Sequence, residues 1–387
     1  MASSSTSVPA IRGRYGPTVS GLVARMRAVL FLLPTILAAS CETLEFYGQA
    51  AAGQWSIVRH EEPTGKLIAS ANTDATLRDR LMTVAALLRF AEDRLALEPG
   101  KRYSSYARVE GDAVVWNVFA TPEFSTVPMR WCYPIVGCAS YRGYFDRRAA
   151  KRYAQRLKVE QHDAFVGGVA AYSTLGWFDD PILSTFVDWP DTDLAGLIFH
   201  ELGHGEVFIS GDTSFNEAFA SFVERRGVVE WLRANHDDAQ IERATRRWQM
   251  SDRFVAYLLV WRDELQRLYD QPYNAVALRL LKSELFAEAE RCYRDNRTVF
   301  GDQDWFFRRG VNNAGLVPLA AYNELMTGFA GLFAQAGESW PKFYEKVAAL
   351  GRLDRDSRSA ELARLGQEFE AERGTRDDRV RCSSLQF

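Results

Sequence analysis

The stretch that most constrains this chain runs from Leu194 to Glu224, LAGLIFHELGHGEVFISGDTSFNEAFASFVE, and holds His200-Glu201-x-x-His204. Only five histidines occur in the chain, so this pairing around a glutamate is a motif rather than an effect of composition. On a helix, residues four apart share a face, and His200 and His204 can therefore offer two imidazoles to one tetrahedral Zn²⁺. Glu201 falls beside the metal but not on it, where a general base must stand to take a proton from an activated water. Ala195, Ile198, Phe199 and Leu202 gather on the opposite face. One side of the helix can enter a core while the other lines a cleft.

A catalytic zinc takes three protein ligands and keeps a fourth position for water. Glu217 is the expected third ligand: it follows the Gly211-Asp212-Thr213 turn and opens a second helix whose apolar stripe is Phe215, Phe219, Phe222 and Val223. Ser214-x-x-Glu217 also matches a capping box, in which this carboxylate would return to the backbone of Ser214. Glu224 is the reserve ligand or an outer partner of one, and Asn216 is expected to orient a ligand by hydrogen bonding. Glu206 lies on the wrong side of the helix.

H-E-x-x-H followed by Asn216-Glu217-x-x-Ala220 resembles the gluzincins, zincin metallopeptidases whose third ligand is a glutamate on the next helix. Within them the chain is similar to a bacterial family of aminopeptidases known from sequence, often built as lipoproteins. The matching stretches are Trp131 to Cys138 with Tyr141 to Phe145, Gly167 to Pro181, the zinc segment, and Asn312-Asn313-Ala314 running to Tyr322. Gly203 departs from the alanine expected there. The resemblance implies one zinc ion, a peptide substrate and aminopeptidase action. No Gly-Ala-Met-Glu-Asn type of amine-binding motif occurs, which leaves endopeptidase action open. It also implies a sheet edge along the cleft, with Gly167, Gly168 and Tyr172 as the candidate edge, and a distant donor for the oxyanion, with Tyr322 the candidate. Asp179 and Asp180 could hold a substrate ammonium but read as an Asp-Asp-Pro turn.

With 47% apolar and 25% charged residues and a net charge of -3, the chain has no basic run to follow a phosphate backbone, so no nucleic-acid partner is expected. Residues 1–41 read as a disordered start and a secretory segment: Met26-Arg27, then an apolar run from Ala28, then small residues before Cys41. That cysteine makes the segment resemble a lipoprotein signal, with Cys41 the lipidation site, a membrane anchor, and a location in the cell envelope, exported and facing the periplasm; a simple cleaved signal or an uncleaved anchor is the alternative. Cys132 and Cys138 can bridge a tight loop or stay as two small buried thiols. Cys292 and Cys382 do not pair by inspection.

Periodicity predicts helices over 43–60, 74–97, 146–159, 237–269, 276–293, 313–335 and 340–349, with a charged surface helix over 354–374. Tyr103–Val109 and Ala113–Ala120 read as a hairpin across Glu110-Gly111-Asp112, and Ala164–Tyr172 as a further strand. The expected fold is α+β and zincin-like. A single domain over 42–387 joins an α+β half (42–190) to a helical half (191–387), with zinc between them. The expected function is zinc-dependent peptide hydrolysis. The alternative is an envelope binding or scaffold protein that keeps zinc and has lost turnover, although such a protein has no need of Glu201.

Overall fold

Capping side chains open most of the long helices near the predicted starts. Asp74, Asp146, Asp212 and Asp237 each accept a hydrogen bond from the backbone N–H three residues on, and Asn274 accepts from Val276 and Ala277. The computed structural model describes residues 45–133, 137–171, 179–308, 310–320 and 325–373. By their contacts Met1–Ala52 and Gly53–Phe387 are separate units, and every element that carries the site belongs to the second.

The described residues begin with helix α1 (45–58). It continues through β1 (Glu61–Pro63), α2 (Thr64–Ala69), α3 (Ala75–Leu95), β2 (Ser105–Ala107), β3 (Val115–Pro122), β4 (Trp131–Tyr133), β5 (Gly137–Ala139) and β6 (Arg142–Tyr144). Next come α4 (Arg147–Val159), β7 (His162–Val169), β8 (Ile182–Leu183), α5 (Asp191–Glu206) and α6 (Thr213–Ala234). The remaining described elements are helices: α7 (Asp238–Tyr269), α8 (Ala275–Asp295), α9 (Arg297–Phe300), α10 (Asp304–Arg308), α11 (Asn313–Ala320), α12 (Met326–Gln335), α13 (Trp340–Leu350) and α14 (Arg355–Arg373). The class is thus α+β, mostly helical with small sheets.

The predicted hairpin does not form. β2 pairs with β1 and, in parallel, with β8, whereas β3 lies between β6 and β7 in a different sheet. β3 and β7 are in register from Val115 opposite Val169 to Pro122 opposite His162. A local Glu-Gly-Asp turn cannot compete with a ladder of that length. β7 runs from His162 rather than Ala164 and stops before Tyr172, and it is an edge strand of its sheet among the described residues. The predicted 313–335 helix is two helices, α11 with Pro318 inside it and α12, and residues 321–324 lie outside the described residues.

Cys132 and Cys138 face each other across the β4–β5 pair and form a disulfide, the first of the two readings. Cys292, buried in a helical core, is also disulfide-bonded. Cys41, the expected lipidation site, and Cys382 lie outside the described residues.

Two apolar clusters organise the helices. The larger gathers α3, α5, α6, α12 and α13 around Phe199, Phe215, Phe219, Phe329 and Phe343, all fully buried. The second, around Phe254, Tyr257, Tyr293 and Phe300, joins α7 to α8. A polar network ties the second cluster to the sheet. Lys282 on α8 donates to Asp163 of β7 at 2.7 Å and to the Glu123 carbonyl. Asn313 donates its side-chain amide to the Glu123 and Ser125 carbonyls and its backbone N–H to Asp163. The Asn312-Asn313 pair thus docks α11 on the strand, with Asn312 bonded to the Ala164 carbonyl.

The charged C-terminal segment is the expected surface helix, but one narrow face of it packs inward. Leu362 and Leu365 of α14 join the larger cluster, and Arg358 is 4% exposed. Its guanidinium donates to Asp212, itself buried and the cap of α6, and lies 5.2 Å from the Phe215 ring centroid. Removing one partner of a buried pair leaves the other charge uncompensated. Arg358→Ala should therefore cost about 3–5 kcal/mol of stability, read as a lower urea midpoint with unchanged slope.

Candidate metal centre

Helix α5 carries His200 and His204 because its other face is anchored: Ala195, Ile198, Phe199 and Leu202 are fully buried. Helix α6 packs beside it closely enough for carboxylates of one helix to reach imidazoles of the other. A Cβ at Gly196 would sit 3.3 Å from Oε1 of Glu224, so glycine there leaves room for that side chain. The cap of α6 is Asp212, not Ser214, and no capping box forms. Glu217 is instead turned to the histidines.

Its Oε2 lies 3.5 Å from Nε2 of His200, and its Oε1 lies 3.9 Å from Nε2 of His204. One ligand atom from each of the three residues falls within 4.8 Å of the others. The two rings stand nearly perpendicular with centroids 4.9 Å apart. On the far side of His200, Nδ1 is 3.1 Å from Oε2 of Glu224. Glu224 thus sits behind a histidine, fixing its ring and leaving Nε2 for an ion. Asn216, expected to orient a ligand by hydrogen bonding, staples the α5–α6 turn, with its amide donating to the Ile209 carbonyl and accepting from the Ile209 N–H, both at 2.8 Å. It places Glu217 through the backbone. Glu206 accepts from the Glu98 N–H, away from the centre.

The electrostatics fit a cation. Burial presses the His200 imidazole down, but hydrogen bonding to Glu217 and Glu224 outweighs it and its pKa is raised to about 10. His204 is lowered to about 4 by burial and by the charge on His200, and its Nδ1 is buried without a hydrogen-bond partner. Burial lifts Glu201 to about 7, with Glu217 and Asp180 adding to the rise and His200 and Arg102 opposing it. Oε2 of Glu201 is buried and makes no hydrogen bond. Two imidazole nitrogens and a carboxylate form a donor set of the kind zinc takes, and the unpartnered acid adjoins it.

Neither Arg102 nor Tyr141 is marked by the histidine motif, and Asp180 was expected only in a turn. Arg102 donates to the Glu201 carbonyl at 3.3 Å, and a Cβ at Gly205 would lie only 2.3 Å from its guanidinium. Asp180 is 7% exposed and acts on Glu201 and on Tyr103, so it is more than a turn residue. Tyr141 also comes within electrostatic reach of the centre: burial of its hydroxyl end, then the carboxylates of Glu217 and Glu201, push its phenol up. The only sequence signal for Tyr141 was its place in the Tyr141 to Phe145 stretch. Tyr322 and Tyr172 lie outside the described residues. Gly167 and Gly168 lie on β7, with room at Gly168 taken by Ala113 and Trp116 and at Gly167 by Phe165.

The sequence model of the family described as "Putative aminopeptidase" matches residues 45–362. The chain belongs to that aminopeptidase family. No curated protein and no solved structure gives a match to the chain.

Glu224→Ala should weaken divalent-metal binding at this cluster by about 10–100-fold, as loss of an outer partner does, measured by competition with a chromophoric chelator. At Gly203 a Cβ would meet Val223 at an ordinary 3.4 Å. Gly203→Ala should therefore stabilise the protein by about 0.5–1 kcal/mol, seen by denaturant melting, without changing zinc affinity.

Proposed function

We propose that the protein is a zinc-dependent aminopeptidase of the gluzincin type, with His200, His204 and Glu217 as metal ligands. We propose further that it works in the cell envelope, held by a lipid at Cys41. The observation that carries the enzymatic reading is the convergence of those three side chains within 4.8 Å beside a buried carboxyl that has no hydrogen bond. Membership of the aminopeptidase family supports a peptide substrate.

When bound, zinc would supply Lewis-acid polarisation of a peptide carbonyl and acidify a water. Glu201 would accept the proton of the attacking water and return it to the departing amine. Its unpaired Oε2 is free for that exchange, and Arg102 steadies its turn of helix through the Glu201 carbonyl. Glu224 holds the His200 ring, and Asn216 holds the turn that delivers Glu217. Edge strand β7 supports an extended peptide pose, because Asn312 occupies the outward Ala164 carbonyl and alternation then turns the backbone of Val166 and Gly168 outward as well.

A scaffold role is less well supported, since a metal kept for stability makes no use of an unpartnered acid. Glu201→Gln should keep its zinc, read by elemental analysis, and lose about 10²–10⁴-fold in hydrolysis of a peptide library. Equal turnover by both proteins overturns the mechanism. Loss of single N-terminal residues marks an exopeptidase; internal cuts mark an endopeptidase.

A further inference from the structure

Outside the ligand set, the sheet brings three aromatic rings together on one face. Phe119 of β3 and Phe165 of β7 are direct cross-strand partners, with ring centroids 6.2 Å apart. Tyr141, in the turn between β5 and β6, packs on Phe119 at 5.7 Å. Alternation along β3 separates this face from the interior. Val118 and Ala120, on either side of Phe119, are fully buried, whereas Phe119 and Phe165 are half-buried and Tyr141 is 39% exposed. Gly167 follows Phe165 on the same face, and a Cβ there would come within 3.2 Å of the Phe165 ring.

Tyr141 links this wall to the metal centre: its ring touches Phe119, and its hydroxyl feels the carboxylates of Glu217 and Glu201. Charge is kept off the wall by the next residue. Arg142 turns to the other face, its guanidinium 4.6 Å from the Tyr153 ring centroid. Aromatic surface left half-covered beside a reactive centre is what an apolar side chain of a ligand can bury. A charged side chain placed against the same rings loses hydration without gaining a partner.

We propose that Phe119, Tyr141 and Phe165 form the specificity wall of the substrate cleft, selecting peptides with a bulky apolar or aromatic side chain next to the scissile bond. The proposal rests on the peptidase reading above and adds the substrate class to it.

The test uses the full-length zinc-loaded protein and fluorogenic peptides that differ only at the residue beside the cleaved bond: Phe, Leu, Ala, Asp or Lys. The Phe and Leu peptides should exceed the Ala peptide by about 10–100-fold in kcat/KM, the range one pocket can supply. Phe119→Leu and Phe165→Leu, which retain apolar bulk and are checked by melting temperature, should each cut the Phe-to-Ala ratio several-fold, mainly through KM. A second readout needs no turnover: calorimetric binding of the same peptides to the Glu201→Gln protein, where the aromatic preference should appear and shrink in the Phe119→Leu background. A flat preference across the panel, or a ratio unchanged in both leucine variants, overturns the wall while leaving the peptidase reading in place. Absence of cleavage with aromatic-selective binding retained overturns the peptidase reading and leaves the wall standing.

Discussion

Two helices carry opposite halves of one binding site, and how closely they approach governs the rest. Helix α5 supplies two imidazoles and α6 supplies two carboxylates, one in front of His200 and one behind it. Gathering these charges out of water is costly unless they satisfy one another. The His200 ring lies between Glu217 and Glu224, which favour its charged form. A divalent ion at this cluster would meet both imidazoles as well, so the arrangement reads as a cation site rather than a structural ion pair.

That approach is enforced from outside. Phe215, Phe219 and Phe222 bind α6 to Phe329, Phe333 and Phe343, and Arg358 of α14 grips the Asp212 cap that starts the helix. On the other side, Arg102 braces the last turns of α5. The β6–β3–β7 sheet is held to the α7–α8 cluster by Lys282, Asp163 and Asn313, an arrangement of buried polar groups that leaves few ways to pack differently. The site is therefore supported by segments far from it in sequence, and the C-terminal helix belongs to its architecture.

Much was legible in the chain alone. The two histidines and Glu201 follow from helical spacing, the apolar face of α5 from periodicity, and Glu217 from a partner helix one short turn away. The long helices follow from 3.6-residue patterns. These are local signals, since a helix satisfies its own backbone and declares its buried stripe within a few turns. Strand pairing was not legible in the same way. The segments containing β2 and β3 both carry the Val, Tyr, Trp and Phe content of strands, but their partners are chosen by distant residues, and adjacency in sequence misled. Asn216 shows the same limit: beside a ligand in sequence, its amide bonds to the backbone of Ile209 instead.

By itself the sequence determined the chemistry on offer: which side chains can bind a metal, which acid stands beside them, and that one helix presents both histidines on one face. Only the tertiary structure decided which carboxylate faces which nitrogen, that Glu224 lies behind His200 rather than on the ion's side, and that Tyr141 reaches the centre from a turn far from it in the chain. The reason is physical: spacing along one helix is set by its own hydrogen bonds, whereas distances between helices, and between a helix and a sheet, are set by side chains that meet only after the chain has folded.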